Sequence, residues 1–196
     1  MHVSKLAFAG IMALTLGACQ QTGSTGTVQA SLPDLPPEFA TTVRAPSLNP
    51  GKWAYQKVND RDQWRCRPLA CADNSIVTLI VTKNTTPRPD PVALDKYVKA
   101  EIPKNIEKLN SALPNPAGLR EVKLASASVD KIHGYYAVRS TYDMTNDKGN
   151  YELVRAMIFA GSSLVTVEAS SMTLATAKGN LDDFVKALQI EGYSPE

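Results

Sequence analysis

The chain has 196 residues, 21 Lys and Arg against 19 Asp and Glu, a formal charge of +2, and 43% hydrophobic residues. These values fit one ordinary folded domain with a tail, and they exclude a collagen-like, coiled-coil or wholly disordered chain. The even charge balance argues against a nucleic-acid partner, which calls for a clustered basic excess, and two histidines with three cysteines leave little material for a metal centre.

The opening MHVSK carries one lysine, and Leu6 to Ala18 is an uncharged run of 13 apolar and small residues. Crossing ~30 Å of hydrocarbon takes about 20 residues, so the run has the length of a signal-peptide core and falls short of a transmembrane helix. It closes on Leu16-Gly17-Ala18-Cys19, and Gln20-Gln21-Thr22-Gly23-Ser24 then turns polar. This segment resembles the lipobox of bacterial lipoproteins. The resemblance implies that residues 1–18 are a signal peptide, that the Cys19 thiol is acylated, and, because Gln20 and not Asp follows, that the protein is anchored in the outer membrane. With ~0.8 kcal/mol per buried CH₂ and more than one acyl chain, such an anchor is stable. The lipid bilayer is thus the first expected partner, the domain facing the periplasm or the cell surface.

Residues 19–50 are then the lipidated cysteine and a tether. Gln20 to Pro50 is rich in Gln, Thr, Ser, Gly, Pro and Ala and lacks an apolar period, so it cannot offset its own ordering entropy. A flexible spacer is expected, with Leu32, Leu35 and Phe39 as the residues through which it would dock if it did.

Residues 51–196 read as a single globular α/β domain. Trp53 to Val58 alternates as a half-buried strand does, and Ser75 to Thr82 is almost continuously apolar or β-branched, which suits a central strand covered on both faces. Asp90 and Pro91 start a helix whose stripe runs through Leu94, Val98, Ile102, Ile106, Leu109 and Leu113. Pro103 falls inside it, and a kink or break is expected there. Four strands follow, near 121–131, 135–144, 151–159 and 164–170, divided by His133-Gly134, Asn146 to Gly149, and Gly161-Ser162. The alternation of Val165, Val167 and Ala169 with Thr166, Glu168 and Ser170 gives the last strand one inward and one polar face. A closing helix carries Ala177, Leu181, Phe184, Val185 and Leu188 on one stripe.

Two amphipathic helices need a sheet between them, so a three-layer α/β/α sandwich on a mainly antiparallel sheet is the expected architecture, of the α+β class. The Trp53 strand, the Asp90-Pro91 helix start, Ile132-His133-Gly134-Tyr135-Tyr136-Ala137, Arg155 to Phe159 and Leu181 to Leu188 resemble the PsbP/Mog1 superfamily in order and apolar pattern. That resemblance implies a binding or assembly role and supplies no catalytic motif.

Cys66 and Cys71, five apart, read as a disulfide in an oxidising compartment; a redox pair is the alternative, against a spacing of four intervening residues and no helix start. His133 reads as a turn residue. No nucleophile elbow, phosphate-cradling loop or deducible carboxylate pair is present, so no catalytic residue, metal ligand or cofactor is expected. The candidate binding residues are Tyr135 and Tyr136, set among Tyr142 and Tyr151, and the basic group Lys57, Arg61, Arg65 and Arg67 beside Lys52. The expected function is that of a non-enzymatic outer-membrane lipoprotein binding an envelope protein or glycan in support of envelope assembly or integrity. An envelope hydrolase or redox accessory enzyme, and a secretion-associated adaptor, are the alternatives.

Overall fold

The computed structural model describes residues 35–71, 73–115 and 118–193. Cys19 and the signal segment lie outside them.

The chain first makes a short 3-10 turn, Pro37–Phe39, then β1 (Thr41–Arg44), β2 (Trp53–Val58), β3 (Arg61–Cys66) and β4 (Ile76–Lys83). The helix that follows has two α-helical parts, α1 (Pro91–Lys96) and α2 (Ile102–Ser111), joined by a π-helical turn, Tyr97–Glu101. Four long strands come next: β5 (Leu119–Ile132), β6 (Tyr135–Asn146), β7 (Gly149–Ala160) and β8 (Ser163–Ser171). The chain closes with α3 (Leu174–Ala187) and β9 (Gln189–Gly192). Strands β2 to β8 form one seven-stranded sheet in the order β2-β3-β4-β8-β7-β6-β5, with antiparallel neighbours throughout. The fold is of the α+β class.

Each layer follows from its apolar stripe. Leu94, Val98, Ile102 and Ile106 pack with Val122, Val138, Met144, Leu153, Met157 and Phe159 on one face of the sheet. Ala177, Leu181, Phe184 and Val185 of α3 pack with Val77, Leu79, Ala156, Ile158, Val165 and Val167 on the other. Asp90 caps α1, its carboxylate accepting from the Val92 amide at 3.1 Å, which satisfies a donor the helix itself cannot. Thr173 caps α3 by accepting from Thr176.

Pro103 does not break the helix. Instead the Ile102 amide bonds the Tyr97 carbonyl, five residues back. The widened turn relieves the place where the proline ring would press on the carbonyl four residues before it, that of Lys99. Strand β4 is third in the sheet and buried from Ile76 to Ile80, but it emerges beyond, with Val81 43% exposed. Its burial on both faces is therefore partial.

The segment expected as a spacer up to Pro50 is ordered earlier. Thr41–Arg44 pairs antiparallel with Gln189–Gly192 as a separate two-stranded sheet, and Phe39 packs against the Tyr193 ring, centroids 5.2 Å apart. Polar residues alone gave no period here. The pairing is supplied by a strand more than 140 positions further along the chain.

Candidate functional site

The pleat separates the basic group read from the sequence. Lys57 pairs in register with Asp62 and lies 3.3 Å from its carboxylate, on the α3 side with Tyr55. Arg61 and Arg65 alternate to the opposite face, Arg61 in register with Val58 and Arg65 with Ile76. Arg67 lies past the strand end and donates from Nε to the Pro50 carbonyl at 2.8 Å. These four side chains do not make one patch.

Tyr135 and Tyr136 likewise point to opposite faces. Tyr135 is buried in the α3-side core and its hydroxyl donates to the Tyr193 carbonyl; desolvation, then the neighbouring Tyr193, raise its pKa. Tyr136 is half-buried against the other core, with the Lys131 ammonium 5.1 Å over its ring. Both reach a recess of about 240 Å³ completed by Pro87, Arg88, Pro89, Phe159 and Tyr193. Arg88 lies over the Phe39 and Tyr193 rings and donates to the Tyr193 hydroxyl at 2.9 Å. The aromatic residues at this end thus clasp the incoming N-terminal segment. His133, in the adjacent turn, bonds the Val185 carbonyl through Nε2 at 2.8 Å.

Cys66 and Cys71 form a disulfide, Cα atoms 6.1 Å apart. Cys66 is 3% exposed and belongs to the α3-side core, with Cys71 packed on it. That setting is one of packing, with Trp53 and Trp64 as neighbours in the same cluster.

A second recess, about 300 Å³, opens at the disulfide end of the sheet. Arg65 and Ile76 come from β3 and β4, Ser170, Ser171 and Met172 from the end of β8, and Asn146, Lys148, Asn150 and Tyr151 from the β6–β7 hairpin, with Asn74 at the rim. Register explains the gathering: Arg65 faces Ile76, Ile76 faces Ser170, and Ser170 faces Leu153, two residues from Tyr151. Among the described residues Arg65 and Lys148 make no ion pair. Asn146 orders the hairpin by accepting from the Lys148 amide at 2.8 Å, and Asn150 accepts from the Thr145 hydroxyl at 3.0 Å.

Behind this recess a polar row crosses the sheet beneath the helical layer. Gln56, Gln63, Thr78, Glu168, Arg155 and Ser140 are successive cross-strand partners. At its centre Arg155 and Glu168 are 3% and 7% exposed, joined by Nη2 at 2.5 Å and Nε at 2.8 Å. The Tyr142 ring lies 5.4 Å from the guanidinium. Burial works hardest against the Arg155 charge, but the charge and hydrogen bond of Glu168 together with Tyr142 and Tyr97 outweigh it and hold the guanidinium above its ordinary value. Burial first, and then the Glu168 charge, push the Tyr151 phenol up to about 12, so it stays a neutral donor at physiological pH. Alternation marks Glu168 as solvent-facing; the helical layer on that side is what buries it.

Asp143 and Glu152 are direct cross-strand partners on β6 and β7, a carboxylate pair that residue spacing alone did not disclose. Desolvation, then a hydrogen bond to Asp143 and its charge, raise the Glu152 pKa. The native state therefore keeps a proton that the unfolded chain has already released, and stability falls as pH rises from the ordinary carboxylate range through the raised value. Glu152→Gln is expected to raise the melting temperature at pH 7 and to leave it unchanged below pH 4, read by thermal unfolding at both. A variant equally or less stable at pH 7 contradicts the raised value.

Among the described residues no group of three or more metal-ligating side chains is gathered, and no helix is long and apolar enough to cross a membrane.

No family model matches the chain, and no curated protein does. Among solved structures it is similar to LpqN, involved in cell envelope biogenesis of Mycobacterium tuberculosis, at 12% identity over 77% of this chain and 84% of that one, TM-score 0.45. Cyanobacterial PsbP (CyanoP) from Synechocystis sp. PCC 6803 gives 10% identity, 90% and 99% coverage and a TM-score of 0.45. The Ran-binding protein Mog1p of Saccharomyces cerevisiae gives 9%, 76% and 95%, and 0.43. The neighbours thus include PsbP- and Mog1-type structures, at identities and TM-scores too low to assign this chain to either family.

Proposed function

We propose that the chain is an outer-membrane lipoprotein, acylated at Cys19, whose domain binds an envelope protein or glycan in support of envelope assembly. The observation that carries the binding role is the recess of Arg65, Lys148, Asn74, Asn146, Asn150 and Tyr151: convergent donors around an apolar floor, as binding sites are built. Its position favours that role. The described chain begins at the Phe39 end of the sheet, where Ser162 donates to the Phe39 carbonyl at 2.7 Å. The recess lies at the opposite end of β4, an eight-residue strand that spans ~25 Å at ~3.3 Å per residue. An anchor on the N-terminal side leaves the recess clear of the bilayer.

Two measurements test this. Cys19→Ala is expected to move the protein from the outer-membrane fraction to the soluble one; unchanged fractionation overturns the anchor. A photo-crosslinking residue in place of Met172, which is 58% exposed, is expected to capture an envelope component in intact cells where the same residue in place of Val92 does not. Equal capture from both positions overturns the binding site.

The Asp143–Glu152 pair is the one observation that favours the hydrolase reading. Neither residue lines any of the recesses described above. The binding reading is therefore the better supported.

A further inference from the structure

The recess at the disulfide end has a definite chemistry. Two of its side chains, Arg65 and Lys148, are cationic and make no ion pair among the described residues, and none of the described residues lining it is a carboxylate. Asp73, next to Asn74, is engaged by the hydroxyls of Ser75 and Ser171, so it is already committed within the rim. Three asparagine amides stand around the same opening, each able to donate and accept at once. Apolar atoms make up most of the exposed lining, and the Ile76 side chain, the thioether of Met172 and the ring of Tyr151 are among them. A neutral peptide would leave both cations unused, and a purely apolar partner would strand the amides. A sugar offers hydroxyls to amides and one apolar face to a ring, and an acidic substituent on it would meet the cations.

We infer that this recess takes an acidic glycan, a short saccharide carrying a carboxylate or phosphate group, with Arg65 and Lys148 on the acid and the asparagines on the hydroxyl or acetamido groups. The inference rests on the binding role proposed above and names its ligand class. Tyr151 contributes the face of its ring to the lining.

The test is a titration of the full-length chain in detergent with four probes: a phosphorylated glucosamine disaccharide, a muramic-acid-containing disaccharide, neutral di-N-acetylchitobiose and inorganic phosphate. One or both acidic disaccharides are expected to bind at least ~10-fold more tightly than the neutral one, the scale of one charge-assisted contact, and which of them binds separates phosphate from carboxylate. Arg65→Gln and Lys148→Gln are each expected to weaken that binding ~5- to 10-fold, leaving the melting temperature and the neutral disaccharide unaffected. Equal affinity for acidic and neutral probes, or unchanged affinity in both variants, overturns the inference. Inorganic phosphate binding as tightly as the disaccharides overturns its saccharide part. A protein captured through position 172 in cells, with no disaccharide binding, overturns the glycan assignment while the binding role stands.

Discussion

Glu168→Leu is expected to cost about 3–5 kcal/mol of stability, measured by urea unfolding, and Arg155→Met added to it is expected to restore most of the loss. The reason lies in how the pair is buried. Arg155 is 3% exposed and donates twice to one carboxylate oxygen; removing that carboxylate leaves a full charge under the helical layer with only tyrosine rings and hydroxyls nearby. Removing both charges removes the desolvation cost as well, and the methionine can fill the stem's volume. The pair therefore adds less net stability than its geometry suggests, while its single variants are severe. Single substitutions costing under about 1 kcal/mol, with no coupling between the two sites, would contradict this account.

Gly192→Ala is expected to detach β1 from the domain and open a tryptic cut after Arg44 that the parent resists. At φ +104° Gly192 lies in the left-handed region, and a methyl group there would fall onto the Ala40 carbonyl oxygen. Gly161, at φ +54°, meets the Phe39 carbonyl in the same way, with Thr41 and Tyr193 at 3.0 Å. The backbone strain alone costs about 1–3 kcal/mol, and neither carbonyl can retreat without losing its own bond, Ala40 to the Tyr193 amide and Phe39 to the Ser162 amide. Cleavage is read by limited proteolysis and mass spectrometry. Equal resistance after Arg44 in both Gly192→Ala and Gly161→Ala would show that close approach is not what holds the segment.

The elements legible in the sequence are those with local signals. The β5 to β8 meander follows from alternation broken by glycine turns, and its strands extend only a few residues beyond the expected limits; α1 follows from Asp90 and Pro91. Strand β3 was harder to read. Its two buried residues, Trp64 and Cys66, sit among Arg, Asp and Gln, and only pairing with β2 and β4 makes the alternation meaningful. The short strands β1 and β9 define each other and have no signal apart. At the site, Arg65 is legible as a basic candidate, but Lys148 and Asn146 read as turn chemistry, since a hairpin and a binding rim use the same residue types, and Asn74 and Asn150 carry no local signal. Their convergence depends on strand register across four strands, which no local window contains. Glu168 shows the same limit: period two assigns a face, and whether that face is wet depends on a helix some seventy positions earlier.

The β1–β9 pairing determines how mechanical load enters the domain. A pull on the chain ahead of Thr41 acts on the bonds from Phe39 and Thr41 to the β7–β8 turn and on the backbone bonds linking β1 to β9, which is the direct continuation of α3 after Leu188. Tension is therefore shared between the Ala160–Ser163 turn of the large sheet and a helix seated by Phe184 and Leu181, both almost fully enclosed. Load entering ahead of β1 is thus taken up at the Phe39 end of the domain, and the recess at the opposite end of β4 lies off that path.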